Sequence, residues 1–346
     1  MKRSILALLV LLLVGIALAW FWHAPVSHSS NSHNSEIRAA IDIGSGATNL
    51  KVAEVDPKTN KIVVELFEKS IPVPYQKQLE QSTDQMFDQS VMDQGIHTVQ
   101  VLKDLAAEHQ ARKVIAVATA AFRAAKNGPE FAREIEEVTG VPVRIINQEE
   151  EGILAFRGAL ALTPVAPEHA VAWDIGGGSM QLTTLTPAGT YLVEKGQTAS
   201  IPFKNYVIQQ IERKDAKLTQ SPNPMSEVEM EAAIQHAAHL AQGTGGYMKE
   251  KLQDPETQIL AVGNLFNRSI KPLVQSEELD SARLAAAVMH WVDKRDAELP
   301  GGPLAEVAVT NPLLVLGYMQ GLKVTQVEIV NVNNTDGALT YPAYWS

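Results

Sequence analysis

Ile41-Asp42-Ile43-Gly44-Ser45-Gly46 returns in the second half of the chain as Trp173-Asp174-Ile175-Gly176-Gly177-Gly178-Ser179. Each copy ends an apolar run and precedes an alternating one. Ile37 to Asp42 reads as a strand, Leu50 to Val55 as its hairpin partner, and Ile62 to Phe67 continues the β pattern. Around the second copy, Ala170 to Ile175, Met180 to Leu185 and Tyr191 to Lys195 repeat that order. A duplicated strand–turn–strand unit carrying Asp-Ile-Gly-x-Gly predicts two similar α/β lobes facing each other over a cleft.

The segments between the copies supply helices. Met92, Ile96, Val99, Leu102 and Leu105 recur at helical spacing within Gln85 to Ala107. Lys113 to Thr119 is a short apolar strand. Asn127-Gly128-Pro129-Glu130 has the form of a helix start, with Asn as the cap, Phe131, Ile135 and Val138 as the buried face and Gly140 as the stop. Val141 to Ile146 reads as a strand and Glu149 to Leu162 as a helix. Farther on, Ser226-Glu227-Val228-Glu229 is a capping box ahead of a long helix to about Leu252. Gln258 to Val262 and Gln326 to Val332 read as strands, and Ala282 to Lys294 and Pro312 to Leu322 as helices.

Composition narrows the function. The chain of 346 residues is 45% hydrophobic and 20% charged, with a formal charge of −10. Such a balance excludes a general nucleic-acid binder, which needs a basic face. A small anion remains acceptable, because amides, one or two cations and a metal can override the global field locally. With no cysteine, thiolate nucleophiles and disulfides are excluded. Lys2 and Arg3 precede an apolar run from Ile5 to Trp22, the form of an export segment. It reads either as an uncleaved inner-membrane anchor or as a signal removed at Ala17-Leu18-Ala19, and both place the main domain outside the cytoplasm, in the periplasm. A polar tether with His23, His28 and His33 completes the segment 1–36.

Glycines at a strand-to-strand turn let backbone N–H groups face an anion with no β-carbon in the way. An aspartate at the end of the preceding strand is held rigidly, where it can orient a metal or a water. One such turn could be a simple tight hairpin. Two in matching contexts point to a phosphate site gripped from both sides.

These two turns resemble the phosphate loops of the actin-like ATPase superfamily, with its ribonuclease H-like lobes. Three further segments resemble the exopolyphosphatase / guanosine pentaphosphate phosphohydrolase (Ppx/GppA) family. They are Thr119-Ala120-Ala121-Phe122-Arg123-Ala124-Ala125-Lys126-Asn127, Ile145-Ile146-Asn147-Gln148-Glu149-Glu150-Glu151 and Asp174 to Ser179. The resemblance implies a hydrolase acting on phosphoanhydrides, with inorganic polyphosphate or guanosine pentaphosphate as substrate and Mg²⁺ as cofactor. It implies Glu151 as the base that activates water, with Glu150 as the neighbouring alternative. Asp174 would hold the metal, with Asp42 and Gln181 beside it. Arg123, Ser179 and the backbone at Gly44, Ser45, Gly176, Gly177 and Gly178 would bind phosphate. Both glutamates also suit the first turn of any helix, and Arg123 suits an exposed helix start.

The chain departs from the family pattern at three places. Met180-Gln181 stands where the family has a glutamate, and an amide is a poorer magnesium ligand. Ala261-Val262-Gly263-Asn264-Leu265-Phe266 replaces a glycine-rich loop, putting bulk where phosphate or nucleotide should approach. Asn334-Thr335-Asp336-Gly337 lacks the family's arginine. A catalytically weak polyphosphate- or nucleotide-binding sensor is therefore the second functional expectation. The expected organisation is a first lobe of residues 37–150 plus 331–346 and a second lobe of 151–330. A second copy of the chain, as a homodimer, is the remaining candidate partner.

Overall fold

The computed structural model describes residues 35–196 and 198–345. The apolar leader and nearly all of the tether lie outside the described residues. Among those described, no helix is long and apolar enough to cross a membrane.

The first sheet takes β1 (Glu36–Ile43), β2 (Ala47–Asp56), β3 (Lys61–Pro72), β4 (Lys113–Ala118) and β5 (Val143–Ile145), in the order β3-β2-β1-β4-β5. The β1–β2–β3 meander is antiparallel, and β4 and β5 add in parallel. Helices α1 (Tyr75–Gln81), α2 (Gln89–Glu108), α3 (Ala120–Ala124) and α4 (Gly128–Thr139) accompany this sheet, and α5 (Gln148–Leu162) follows β5. The central strand β1 is buried from Arg38 to Ile43, as expected of a strand covered on both faces. Phe87, Phe122 and Phe131 stack and tilt around Tyr75 beneath it.

The second sheet takes β6 (Ala170–Ile175), β7 (Met180–Leu185), β8 (Tyr191–Lys195), β9 (Gln258–Val262), β10 (Glu278–Asp280) and β11 (Gln326–Ile329), in the order β10-β11-β9-β6-β7-β8. Read from β8, it repeats the first sheet: an antiparallel meander, then parallel strands, with β10 as an added antiparallel edge. Its helices are α6 (Ser200–Tyr206), α7 (Glu227–Ala241), α8 (Gly246–Gln253), α9 (Lys271–Val274), α10 (Ser281–Met289) and α11 (Thr310–Leu322). The core here packs Trp173, Phe203 and Phe266 against α7 and α11. The fold is thus α/β with two lobes whose sheets repeat one strand order, as the duplicated turns predict.

The last helix, α12 (Asn334–Thr340), returns to the first sheet, where Ala338, Leu339 and Trp345 pack with Ala40, Ala53 and Val55. There Asp336 forms a buried ion pair of 2.8 Å with Lys51 on β2. Helix α5 packs on α12, β6 and β7, so the expected lobe boundary at 150/151 falls inside one continuous helix.

Local expectations differ from the structure in several places: Val138, expected on the buried face of α4, is exposed, and three further differences each have a physical reason. Asn127 does not cap α4; its amide pairs both ways with the backbone of Phe87, accepting at 2.9 Å and donating at 3.0 Å. The helix begun by the Ser226 capping box ends at Ala241, because Gly243-Thr244-Gly245-Gly246 interrupts it before α8. Leu265 and Phe266 do not crowd the cleft. They turn into the core of the second lobe, where Phe266 meets Trp173 edge-to-face at 5.3 Å. The bulk that replaces the glycines has an apolar home of its own.

Candidate active site

Asp42 and Asp174 end equivalent strands, each one residue before the turn. Asp42 stands opposite Asn49 on β2, and Asp174 opposite Gln181 on β7. Directly opposed residues of an antiparallel pair share a face, so each aspartate has an amide beside it. Asn49 Nδ2 donates to Asp42 Oδ2 at 3.3 Å. Gln181 Nε2 instead reaches Glu151 Oε2, at 3.4 Å.

Glu151 sits in the first turn of α5, whose N-cap Asn147 accepts from the Glu150 amide. Its carboxylate accepts from Arg123 Nη2 at 2.7 Å and from Ser179 Oγ at 3.1 and 3.2 Å. Arg123 is anchored in turn by Nη1 donating to the Ile146 carbonyl at 2.8 Å. The structure separates the glutamate pair completely. Glu150 lies on Arg144, at 3.2 Å, and on the Tyr344 hydroxyl, at 2.8 Å, away from this cluster. Successive residues of a helix point about 100° apart, so only one of the two can face the turns.

The two glycine turns meet. A β-carbon placed on Gly177 would stand 3.0 Å from Ser45 Cβ, and one on Gly178 would stand 3.0 Å from Ser45 Oγ and from Ala120 Cβ. Asp42, Ser45, Glu151, Asp174 and Ser179 are all buried. The Gly44 and Gly176 amides, expected to cradle phosphate, are spent inside their own turns. They donate to the Ala47 and Ser179 carbonyls at 3.0 and 2.8 Å. The Ser45, Gly177 and Gly178 amides make no hydrogen bond among the described residues and are the donors left for an anion.

Three carboxyls share this space with one cation, Arg123, and the electrostatics follow. Burial raises Glu151, against the opposing pull of Arg123 and Ser179. Asp174 is raised well above the usual carboxylate range by burial and then by the charges of Glu151 and Asp42. Asp42 is raised to about 7 by burial and Glu151, while Asn334 and Asn49 favour its ionised form. A carboxyl raised in the folded state binds its proton more tightly there than in the unfolded chain. Its contribution therefore favours the fold at low pH and is lost as pH climbs from the ordinary carboxylate range through about 7. Asp42→Asn should melt like the wild type near pH ~4 and above it at pH ~8 in chelator, by on the order of a few kcal/mol. Parallel melting curves of the two proteins across this range would refute the assignment.

The donor set fits Mg²⁺. Asp42 Oδ1 and Gln181 Oε1 are buried oxygens with no hydrogen-bond partner, and Gly263, at φ +90°, brings bare backbone against the Asp174 carboxylate. Unpaired hard oxygens under mutual repulsion are what a hard divalent cation relieves. Among the described residues no group of three His, Asp or Glu side chains is placed to hold a metal ion, so any ion here rests on fewer protein ligands. A carboxylate or two completed by water and substrate oxygens is the usual magnesium arrangement.

Sequence reading overlooked Asn49 and Asn334, which flank Asp42. Asn49 had a signal: it stands at the same spacing from Asp42 as Gln181 does from Asp174. Asn334 had a coarser one: its segment, Asn334 to Gly337, was placed with the first lobe, but only the packing of α12 sets that side chain beside Asp42.

The model of the Ppx/GppA phosphatase family matches residues 52–194, which include Arg123, Glu150, Glu151, Asp174, Ser179 and Gln181. The fold is shared with a Ppx/GppA family member from Aquifex aeolicus, at 17% identity and a TM-score of 0.69, covering 88% of this chain and 97% of that one. It is shared equally with an exopolyphosphatase from Cytophaga hutchinsonii, at 17% identity and a TM-score of 0.69, covering 88% and 96%. A second Aquifex aeolicus structure, described as a PPX-GPPA enzyme, is similar at 18% identity and a TM-score of 0.68, covering 88% and 99%. Residues 52–194 thus carry the sequence pattern of the Ppx/GppA phosphatase family across Arg123, Glu151 and Asp174, and the chain shares its fold with the Aquifex aeolicus member of that family.

Proposed function

We propose that the chain releases terminal phosphate from inorganic polyphosphate, or from a related compound such as guanosine pentaphosphate, in a Mg²⁺-dependent reaction. One observation carries this reading: Asp42, Glu151 and Asp174 come from separate segments to meet at two facing glycine turns, with Arg123 paired to Glu151 among them. Polyphosphate is preferred, because a domain exported by the N-terminal apolar run would meet little cytoplasmic nucleotide. The match to the Ppx/GppA phosphatase family and the fold shared with an exopolyphosphatase support the same substrate class.

Asp42, Asp174 and the Gln181 carbonyl oxygen would hold the metal. Bound there, Mg²⁺ would neutralise charge on the phosphate oxygens. The remaining chemistry falls to this chain's own groups. The Ser45, Gly177 and Gly178 amides bind the terminal phosphate. Glu151, fixed by Arg123 and Ser179, takes a proton from water as the water oxygen bonds to phosphorus. The anhydride P–O bond breaks, and the shortened chain leaves with the bonding pair. Arg123 lies close enough to shift part of its charge to the phosphate as Glu151 becomes neutral.

Orthophosphate release from polyphosphate, with and without Mg²⁺, tests the proposal. Polyphosphate binding with no metal-dependent release would transfer the assignment to a sensor. Gln181 is the observation that favours this second reading. Its amide holds Glu151 but adds no charge to the metal site. Gln181→Glu should lower the Mg²⁺ concentration giving half-maximal rate by ~10-fold, since a carboxylate would stand opposite Asp174. An unchanged or raised magnesium requirement would place the metal elsewhere.

A further inference from the structure

The opposite end of the first lobe holds a cavity of about 400 Å³, apart from the carboxyl cluster. Lys103, Arg112 and Lys113 line it together with Val141, Tyr344 and Trp345, and no acidic residue does. In a chain of net charge −10 this is an unusual concentration of one sign. Among the described residues none of the three cations forms an ion pair. Lys103 Nζ donates to the Thr139 carbonyl at 2.5 Å, and Lys113 Nζ to the Trp345 carbonyl at 3.4 Å. Arg112 makes no ion pair or hydrogen bond among the described residues, and its side chain is exposed.

The walls are built rather than loose. Trp345 is buried, and its Nε1 donates to the Ala338 carbonyl at 2.8 Å. Arg38 lies over the Trp345 ring at 4.9 Å and Arg144 over the Tyr344 ring at 5.5 Å, each held by a glutamate of its own, Glu36 and Glu150, so the rings are fixed from behind. Lys113 opens β4, whereas Ala118 closes it at the carboxyl cluster, where the next amide, Thr119, donates to Ile43. At ~3.3 Å per residue the cavity is about 15–20 Å from the cluster. One phosphate cannot occupy both places.

We propose that this cavity is a second anion site, and that it takes an inorganic oligophosphate. Three cations that line one concave space, with no ion pair among the described residues, match several negative charges on one small ligand. A flat anionic surface such as a membrane could not reach Lys103, which is half-buried at the cavity wall. Occupation relieves the repulsion among the three cations, so the ligand should bind without any divalent cation, unlike at the acidic cluster.

The probe is inorganic tripolyphosphate, titrated calorimetrically into the full chain in chelator. The Arg112→Glu/Lys113→Glu variant should bind at least about tenfold more weakly, as expected on losing two charge-assisted contacts. It should keep the wild-type melting temperature and initial rate of phosphate release, because neither residue touches the carboxyl cluster. Sulfate at equal ionic strength should compete poorly. Tripolyphosphate binding that survives the double charge reversal, or that sulfate matches, overturns the proposal. The assignment stands apart from the hydrolytic reading: absent phosphate release would leave this binding intact.

Discussion

Glu151→Gln should lower the rate of phosphate release by ~10²- to 10⁴-fold, the range for loss of a positioned general base. Glutamine keeps the volume and can still accept from Arg123 and Ser179, which hold the wild-type carboxylate at 2.7 and 3.1 Å. What it cannot do is take a proton. Substrate binding should therefore persist while turnover is lost. The wild-type rate should rise with pH through a value above the ordinary carboxylate range, because burial raises Glu151 and only its ionised form accepts a proton. This rising limb should be absent from the residual rate of the variant. Glu150→Gln supplies the internal comparison. That carboxylate is engaged by Arg144 and Tyr344, so the rate should stay within about threefold of wild type. A Glu151→Gln enzyme retaining more than about a tenth of wild-type turnover would remove Glu151 from the chemistry.

Gly337→Ala should cost about 3 kcal/mol of stability, and more if the helices cannot part. Gly337 lies where α12 crosses α5, and a β-carbon there would overlap the Leu154 carbonyl oxygen and stand 2.5 Å from its carbon. Backbone cannot swing aside as a flexible side chain would. On the facing helix, a β-carbon on Gly158 would be 2.7 Å from Val332 Cγ1 and 3.1 Å from Asp336 Cβ, so neither surface has slack. The same crossing sets the buried Lys51–Asp336 pair and carries Asn334 to Asp42. A forced separation should therefore reduce activity as well as lower the melting temperature by on the order of 5–10 °C. Gly246→Ala, where an added β-carbon meets nothing within 4 Å, is the matched control and should melt close to wild type. Equal melting of the two variants would show that the crossing is not tight.

Much of the architecture was legible because its signals are local. Strand alternation, the glycine turns and the Ser226 capping box depend on residues within a few positions of one another. The repetition of Asp-Ile-Gly at two strand ends exposed the duplicated lobes, and the family resemblance covered Arg123, Glu151, Asp174 and Ser179. Neither α1 nor the short strand β10 was anticipated, since each is brief and takes its order from tertiary neighbours.

The pattern of apolar and glycine residues along the chain was enough to specify two matching sheets and a pair of turns ending in aspartate. It could not say that Glu151 rather than Glu150 meets them, that Arg123 rests on that glutamate, or that Gly44 and Gly176 use their amides within the turns. It placed residues 331–346 with the first lobe, but could not show Phe266 turning into the core of the second lobe, or Asn334 meeting Asp42 and Asp336 meeting Lys51. Those outcomes depend on contacts between segments far apart in sequence, where packing and the pairing of buried charge select one arrangement among several that local preference allows equally.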